Sequence, residues 1–110
     1  MDIKQTLSAL AALSQETRLD VFRLLIRAGE NGMHAGEIGD ALGVRQNTMS
    51  TNLSILLRAE LVRKEREGRA IRYYANFRGI RGLLSFLMED CCRGEPKLCG
   101  TALDAIVCEC

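Results

Sequence analysis

The spacing of apolar residues in the first part of the chain predicts three helices, because it follows the 3.6-residue period of an α-helix. Ser14 is a residue type that caps helix N-termini, and we expect it to begin the second helix. Gly29 and Gly32 are expected to end that helix and turn the chain, and Gly43 to stop the third helix. The three apolar stripes consist of Ile3, Leu7, Leu10 and Ala11, then Leu19, Phe22, Leu25 and Ile26, then Ile38 and Leu42.

A fourth helix and a β-hairpin follow. The helix is predicted from about Gln46 to Ala59, and residues 61–75 read as two strands, LVRKER and AIRYYA, around a turn at Glu67-Gly68-Arg69. A last helix is predicted from about Arg78 to Cys92. One face of this helix carries Ile80, Leu84, Leu87 and Met88. A short helix, a glycine-containing turn and a second helix form a helix-turn-helix, and a basic hairpin directly after it adds a wing. The predicted fold class is mainly α with a β-hairpin, a winged helix-turn-helix.

Length and composition predict one domain with a modest core. The chain has 110 residues, of which 47% are hydrophobic, and a domain of this size often gains stability by dimerising. We expect residues 1–92 to form the DNA-binding and dimerisation domain and residues 93–110 to form a cysteine-containing tail. No apolar run approaches the length of a membrane span, and no secretory signal is visible. We therefore expect a cytoplasmic protein with reduced thiols and no membrane partner.

The net charge of +1 hides an uneven distribution. Residues 1–44 carry a balance of −2, residues 45–81 a balance of +6, and residues 82–110 a balance of −3. The middle segment has nine Lys and Arg residues against three Glu. Such a basic segment between acidic ends is expected of a surface that contacts phosphates, although a basic solvated hairpin without a partner would have the same charge.

The two faces of the fourth helix differ in chemistry. Successive residues of a helix are 100° apart, and at that spacing Met49, Leu53, Leu56 and Leu57 cluster on one side. The opposite side is small and polar where surface helices usually carry Glu and Lys. Asn and Gln suit adenine edges, while Ser and Thr suit bases or phosphates. The expected DNA contacts are Gln46, Asn47, Thr48, Ser50, Thr51, Asn52 and Ser54 on the helix and Arg66 and Arg69 on the wing.

Two stretches of the chain resemble the arsenic-repressor (ArsR/SmtB-type) family. GVRQNTMSTNLSILLRAELVRKEREGRAIRYYAN resembles the family's recognition helix and wing, and LSALAALSQETRLDVFRLLIRAGE resembles its opening two helices. The resemblance covers about residues 3–90. It implies a winged-helix homodimer that represses transcription from double-stranded operator DNA and leaves the DNA when an inducer binds. We expect the first and last helices to form the dimer seam.

Several positions depart from the family pattern. Arg45 stands where the family often has Ser, Asn47 where Pro is common, and Asn52 where His is common. The family's best-known arsenic site is a pair of cysteines, one residue apart, in the helix before the recognition helix. Here that helix, AGEIGDALGV, contains no cysteine, so the site cannot exist in this chain.

All five cysteines lie in the last twenty residues, at Cys91, Cys92, Cys99, Cys108 and Cys110. The segment CCRGEPKLC resembles family members whose inducer cysteines lie at the end of the last helix. The resemblance implies As(III) as inducer, held by Cys91, Cys92 and Cys99, with Cys108 and Cys110 as an alternative pair. Three thiolates fit the pyramidal coordination of trivalent arsenic or antimony, whereas zinc prefers four ligands, often including His. The single histidine, His34, is distant in sequence and is expected at a turn or on the surface.

The cysteines are also compatible with signals other than arsenite. Oxidation of Cys91 or Cys92 to a disulfide with a tail cysteine would make the protein a redox-sensing repressor. Zinc and cadmium would also bind cysteines, as would methylated trivalent arsenic, for which two thiolates suffice. Alternatively, Cys91 is not a ligand but continues the apolar stripe of the last helix into the dimer seam. An enzyme is disfavoured, because the chain has no Cys-x-x-Cys motif, no glycine-rich phosphate loop and no nucleophile with a nearby histidine.

Overall fold

The computed structural model describes residues 1–89, in which five helices and three strands follow the order of a winged helix-turn-helix. These elements are α1 (Ile3–Leu13), α2 (Glu16–Ala28), β1 (Met33–His34), α3 (Ala35–Leu42), α4 (Gln46–Arg58), β2 (Val62–Glu67), β3 (Ala70–Ala75) and α5 (Phe77–Leu87). A short 3-10 turn, Gly29–Asn31, connects α2 to β1. None of the helices within residues 1–89 has the length and apolar character needed to cross a membrane.

The predicted hairpin belongs to a three-stranded antiparallel sheet in the order β1–β3–β2. β2 and β3 pair along their whole length, from Val62 opposite Ala75 to Glu67 opposite Ala70. β1 pairs with the middle of β3, where Met33 lies opposite Tyr73. The sequence does not predict β1, because alternation cannot be recognised in a strand of two residues.

The core lies between α2, α3, α4 and the start of the wing. Leu25, Ile38, Leu53, Leu56 and Leu61 are almost completely excluded from solvent. These leucines and isoleucine come from four different segments, so the core fixes α4 against the rest of the domain. The helix-turn-helix and the wing therefore project from one rigid base.

The apolar stripe of α1 does not face this core. Ile3 and Leu7 are 62% and 60% exposed, whereas Ala9 and Ala12 are buried. Small side chains on the inner face allow α1 to approach its neighbours closely, and the large ones face outward. Periodicity thus identifies the helix but not the partner of its apolar face.

Two expectations about α2 are wrong. Gln15, not Ser14, is the N-cap, and its side-chain oxygen accepts a hydrogen bond of 2.9 Å from the backbone amide of Arg18. The Ser14 hydroxyl instead donates to the carbonyl of Ala11 at the end of α1. Leu19 is 40% exposed, and Val21 occupies the buried position that the predicted stripe had given to Leu19.

The last helix begins at Phe77 and ends earlier than predicted. Its C-cap is Met88, whose backbone amide donates to the carbonyls of Leu84 and Phe86 and so closes the final turn. The prediction of an unbroken helix to Cys92 is therefore wrong at residues 88–89, and Cys92 itself lies outside the described residues. The apolar pattern continues past Leu87 and contains no breaker before Gly94, so periodicity could not locate this end.

Candidate nucleic-acid interface

The turn between α3 and α4 sets the angle at which the fourth helix leaves the core. Gly43 caps α3 in the left-handed conformation, with φ +66°, where a side chain would be strained. The backbone amide of Val44 then donates to the carbonyl of Gly39 at 2.9 Å. Three residues, 43–45, are enough to reverse the chain and begin α4 at Gln46.

The outer face of α4 is exposed and polar. Met49, Leu53 and Leu56 are buried against the core. All but one of the predicted helix contacts are exposed, namely Gln46, Asn47, Thr48, Ser50, Thr51 and Ser54. Side-chain amides and hydroxyls of this kind both donate and accept hydrogen bonds, which is what the edges of bases require.

The first turn of α4 has an unusual internal bond. Its N-cap, Arg45, makes no side-chain capping bond. The Oδ1 atom of Asn47 accepts a hydrogen bond of 2.8 Å from the backbone amide of Thr48. The hydroxyl of Thr51 donates to the Asn47 carbonyl at 3.2 Å. The asparagine that replaces the family's common proline thus satisfies part of the helix start itself.

Asn52 differs from the other predicted contacts. It is 6% exposed and lies on the inner side of α4, with Oδ1 accepting a 3.3 Å hydrogen bond from Nη1 of Arg18. A side chain in this position cannot reach a base while the helix packs as it does. The polar side chain of Asn52 led us to predict a contact with DNA. Its position beside Met49 and Leu53 instead points it toward the core.

The wing presents basic side chains on an exposed hairpin. Lys64, Arg66 and Arg69 are all exposed. The two-residue turn has Gly68 at its first position with φ +62°, the position at which type II′ hairpin turns place glycine. Nε of Arg66 donates to the Gly68 carbonyl at 3.2 Å. This bond draws the Arg66 side chain toward the tip, beside Arg69.

A charged cluster anchors the wing to the start of α3. Nε2 of His34 and Nε of Arg72 each lie 2.9 Å from Oε1 of Glu67, the last residue of β2. His34 also approaches Glu37, and Arg72 donates to the carbonyl of Asn31. Hydrogen bonds from His34 and then Arg72 lower the pKa of Glu67 below its usual range. Sequence reasoning missed this cluster, because only the β1–β3 pairing places His34 opposite Arg72.

Comparisons with known proteins agree with this geometry. A family model described as a helix-turn-helix domain matches residues 13–65. The solved structure of an ArsR-like transcriptional regulator from Rhodococcus sp. RHA1 is 26% identical, with a TM-score of 0.72, over 94% of this chain and 93% of that chain. These comparisons support the resemblance of the chain to ArsR/SmtB-type transcriptional regulators. No curated protein sequence matches it significantly.

Two further solved structures share the fold of this chain. One is a homodimeric winged helix-turn-helix DNA-binding domain from Mycobacterium bovis, with 24% identity, a TM-score of 0.65 and coverage of 80% of this chain and 82% of that chain. The other is described as a possible transcriptional regulator for arsenical resistance, with 20% identity, a TM-score of 0.63 and coverage of 73% and 80%.

The chain also leaves large apolar side chains exposed on α1 and α5, two helices that pack against each other. Leu7 and Leu10 of α1 are 60% and 41% exposed, and Phe77 and Leu87 of α5 are each 50% exposed. Side chains of this size are not usually left in water together on two adjacent helices. These exposed side chains of α1 and α5, together with Ile3, are called the α1–α5 face below.

The predicted inducer ligands lie outside the described residues: they are Cys91, Cys92, Cys99, Cys108 and Cys110. Within residues 1–89, no group of three or more His, Cys, Asp or Glu side chains could hold a metal ion. The cluster of His34 and two glutamates is instead an ion-pair network with arginine.

Proposed function

We propose that the chain is a homodimeric repressor that binds operator DNA and is released from it by trivalent arsenic bound to its C-terminal cysteines. The observation that carries the DNA-binding part is the exposed polar face of α4 beside a basic wing. A recognition helix reads base edges in the major groove, while basic side chains at the flank contact phosphates.

The roles of the side chains follow from their positions. The exposed amides and hydroxyls of α4 would contact base edges or nearby phosphates. Arg66 and Arg69 at the wing tip would contact phosphates or the adjacent minor groove. Asn52 is left out of the interface because it is buried against Arg18. The helix contacts are Gln46, Asn47, Thr48, Ser50, Thr51 and Ser54.

A homodimer joined by the α1–α5 face would cover the exposed leucines and present two recognition helices. A twofold dimer places the same patch of both subunits in contact, and two half-sites then match the two copies of α4. The homodimeric relative from Mycobacterium bovis, which shares the fold at 24% identity, supports this arrangement.

The proposed inducer site consists of cysteines in the tail. Cys91 is four residues beyond Leu87, the last residue of α5, so an ion held by Cys91, Cys92 and Cys99 would act next to the seam. Three soft thiolates match trivalent arsenic or antimony. A change of a few kcal/mol in the relative stability of two dimer arrangements is enough to release DNA. A relative described as a possible regulator for arsenical resistance supports this choice.

The test titrates arsenite, antimonite, zinc and diamide against the complex of purified protein with the duplex that it selects from a random-sequence pool. Arsenite and antimonite should release the DNA. Release by diamide alone would favour the redox-sensing alternative, and release by zinc alone would contradict the arsenic assignment.

Serine variants test the proposed ligands one by one. Cys91→Ser, Cys92→Ser and Cys99→Ser should each bind DNA normally but resist arsenite. The double change Cys108→Ser and Cys110→Ser is the control and should respond as the wild type does. The opposite result, in which only the double variant is unresponsive, would assign the site to the terminal pair.

A further inference from the structure

Arg18 connects three elements through one side chain and its own backbone. Its Nε donates to the carbonyl of Ala12, near the end of α1, at 2.7 Å, and its Nη1 donates to Oδ1 of Asn52 in α4 at 3.3 Å. Its backbone amide donates to the Gln15 cap that begins α2. The guanidinium therefore lies between the helix of the α1–α5 face and the recognition helix. The fixed fork of donors in arginine is suited to holding two acceptors at once.

Asn52 is a polar residue in an apolar row. Its neighbours along the inner face of α4 are Met49, Leu53 and Leu56, and it is itself 6% exposed. A buried amide loses the hydrogen bonds of water and needs a partner within the protein. That partner for Oδ1 is Arg18, whose charge strengthens the bond. Unlike apolar packing, a hydrogen bond is directional, so it restricts rotation of α4 about its own axis.

We propose that Arg18 and Asn52 are positioning residues that fix the rotation of α4 relative to α1, and thereby set the sequence specificity of DNA binding. This inference rests on the proposed function. Exposed side chains lie roughly 5–6 Å from a helix axis, so a rotation of about 10° moves them by about 1 Å. A displacement of that size breaks hydrogen bonds to base edges, whereas long arginines on the wing still reach phosphates.

The test compares binding to two duplexes of equal length at one salt concentration. One is the duplex that the wild-type protein selects from a random pool, and the other is a scrambled duplex. Arg18→Gln and Asn52→Leu should each weaken binding to the selected duplex by roughly tenfold while leaving the scrambled duplex nearly unaffected. The specificity ratio should fall, and the salt dependence of binding should not change.

Conservative variants separate geometry from charge. Arg18→Lys keeps the charge, but a single ammonium group cannot replace the fork, so it should lose specificity as Arg18→Gln does. Asn52→Asp keeps an acceptor for the guanidinium and should retain most of the specificity. Arg23→Gln is the matched control, because Arg23 is an exposed arginine of the same helix with no side-chain partner among the described residues, and its specificity should equal that of the wild type.

A merely structural role has a different outcome. Loss of stability would weaken binding to both duplexes in proportion to the unfolded fraction and would disappear at a temperature where every variant is folded. If the specificity ratio is unchanged in Arg18→Gln and Asn52→Leu, this inference is wrong, whereas the proposed function is not affected. A wild-type protein that selects no sequence at all would refute the proposed function, and this inference with it.

Discussion

Leu7→Ala tests whether the α1–α5 face is the dimer seam. Leu7 is 60% exposed in the protomer, so its apolar surface is available for burial between subunits. The change removes three carbons, worth about 2.4 kcal/mol at about 0.8 kcal/mol each when fully buried. Only the part of the side chain that is exposed in the protomer can be buried by dimerisation. The change therefore costs about 1.4 kcal/mol of dimerisation free energy per copy, or about 3 kcal/mol for the two copies of a twofold dimer. That loss corresponds to a roughly 100-fold rise in the dimer dissociation constant.

Sedimentation velocity over a series of protein concentrations measures that constant directly. The matched control is Ile71→Ala, since Ile71 is 37% exposed but lies on β3 near the tip of the wing. Its dimer dissociation constant should equal that of the wild type. Leu87→Glu places a charge in the same seam on α5 and should give monomers that fail to bind a twofold operator.

Two results would refute the assignment of the seam. The first is a wild-type chain that sediments as a monomer at micromolar concentration. The second is a Leu7→Ala variant that dimerises as tightly as the wild type while Ile71→Ala does not. In the second case the exposed leucines of α1 would need a different explanation, and the position of the inducer site next to the seam would lose its mechanical basis.

Three further changes test the wing and the packing of α5. Arg69→Ala should weaken binding to all DNA sequences alike and reduce the slope of binding against salt, and an unchanged slope would remove Arg69 from the interface. Hydrogen bonds hold the pKa of Glu67 low. The stabilisation that its carboxylate provides is therefore complete above the ordinary glutamate pKa range and is lost as the pH falls through the lowered pKa. On acidification, the unfolding free energy of Glu67→Gln should fall less than that of the wild type. Gly79→Ala would place a methyl group against the carbonyl of Glu60 and should cost about 1–3 kcal/mol, measured by chemical denaturation. Its control, Gly36→Ala, has open space and should be neutral or stabilising.

Sequence patterns predicted the helix-turn-helix and the hairpin because their signals are local. Gly43 marks the end of α3, and Gly68 marks the turn between β2 and β3. Each glycine adopts a positive φ, so the residue type and the backbone conformation agree at the turn itself. The bounds of α4 differ from the predicted ones by one residue, since its last predicted residue, Ala59, is the C-cap.

The errors come from contacts between residues distant in sequence. Leu7 lies on the apolar stripe of α1 but is 60% exposed in the protomer, so its period alone does not place it in the core. Asn52 has the chemistry of a DNA contact, but Arg18, thirty-four positions away, holds it inward. His34 is expected at a turn or on the surface, and its side chain is indeed partly exposed, but pairing of β1 with β3 adds a charged network with Glu67 that the sequence does not predict. Periodicity measures the angle of a residue on its helix, and it contains no information about which surface lies opposite.

Hydrogen bonds connect α4 and the turn that follows it to both helices of the α1–α5 face. These contacts determine how a signal could reach DNA under the proposed function. Arg18 connects Asn52, in the middle of α4, to the end of α1. After the C-terminus of α4, the carbonyl of Glu60 accepts a 2.8 Å hydrogen bond from Nδ2 of Asn76, the N-cap of α5. Gly79 of α5 packs against the same carbonyl, and Glu60 has a left-handed φ of +62° that gives this turn little freedom to adjust.

Under the proposed function, an inducer that shifted α5 would not need a flexible path to α4. Movement of Asn76 displaces the end of α4, while the bond between Arg18 and Asn52 holds the middle of α4 to α1. Under the proposed function, these two connections together would convert a displacement of α5 into a tilt of α4, because the end of α4 moves while its middle is held. Because base contacts tolerate less than about 1 Å of displacement and phosphate contacts tolerate more, specific binding should be lost before electrostatic binding.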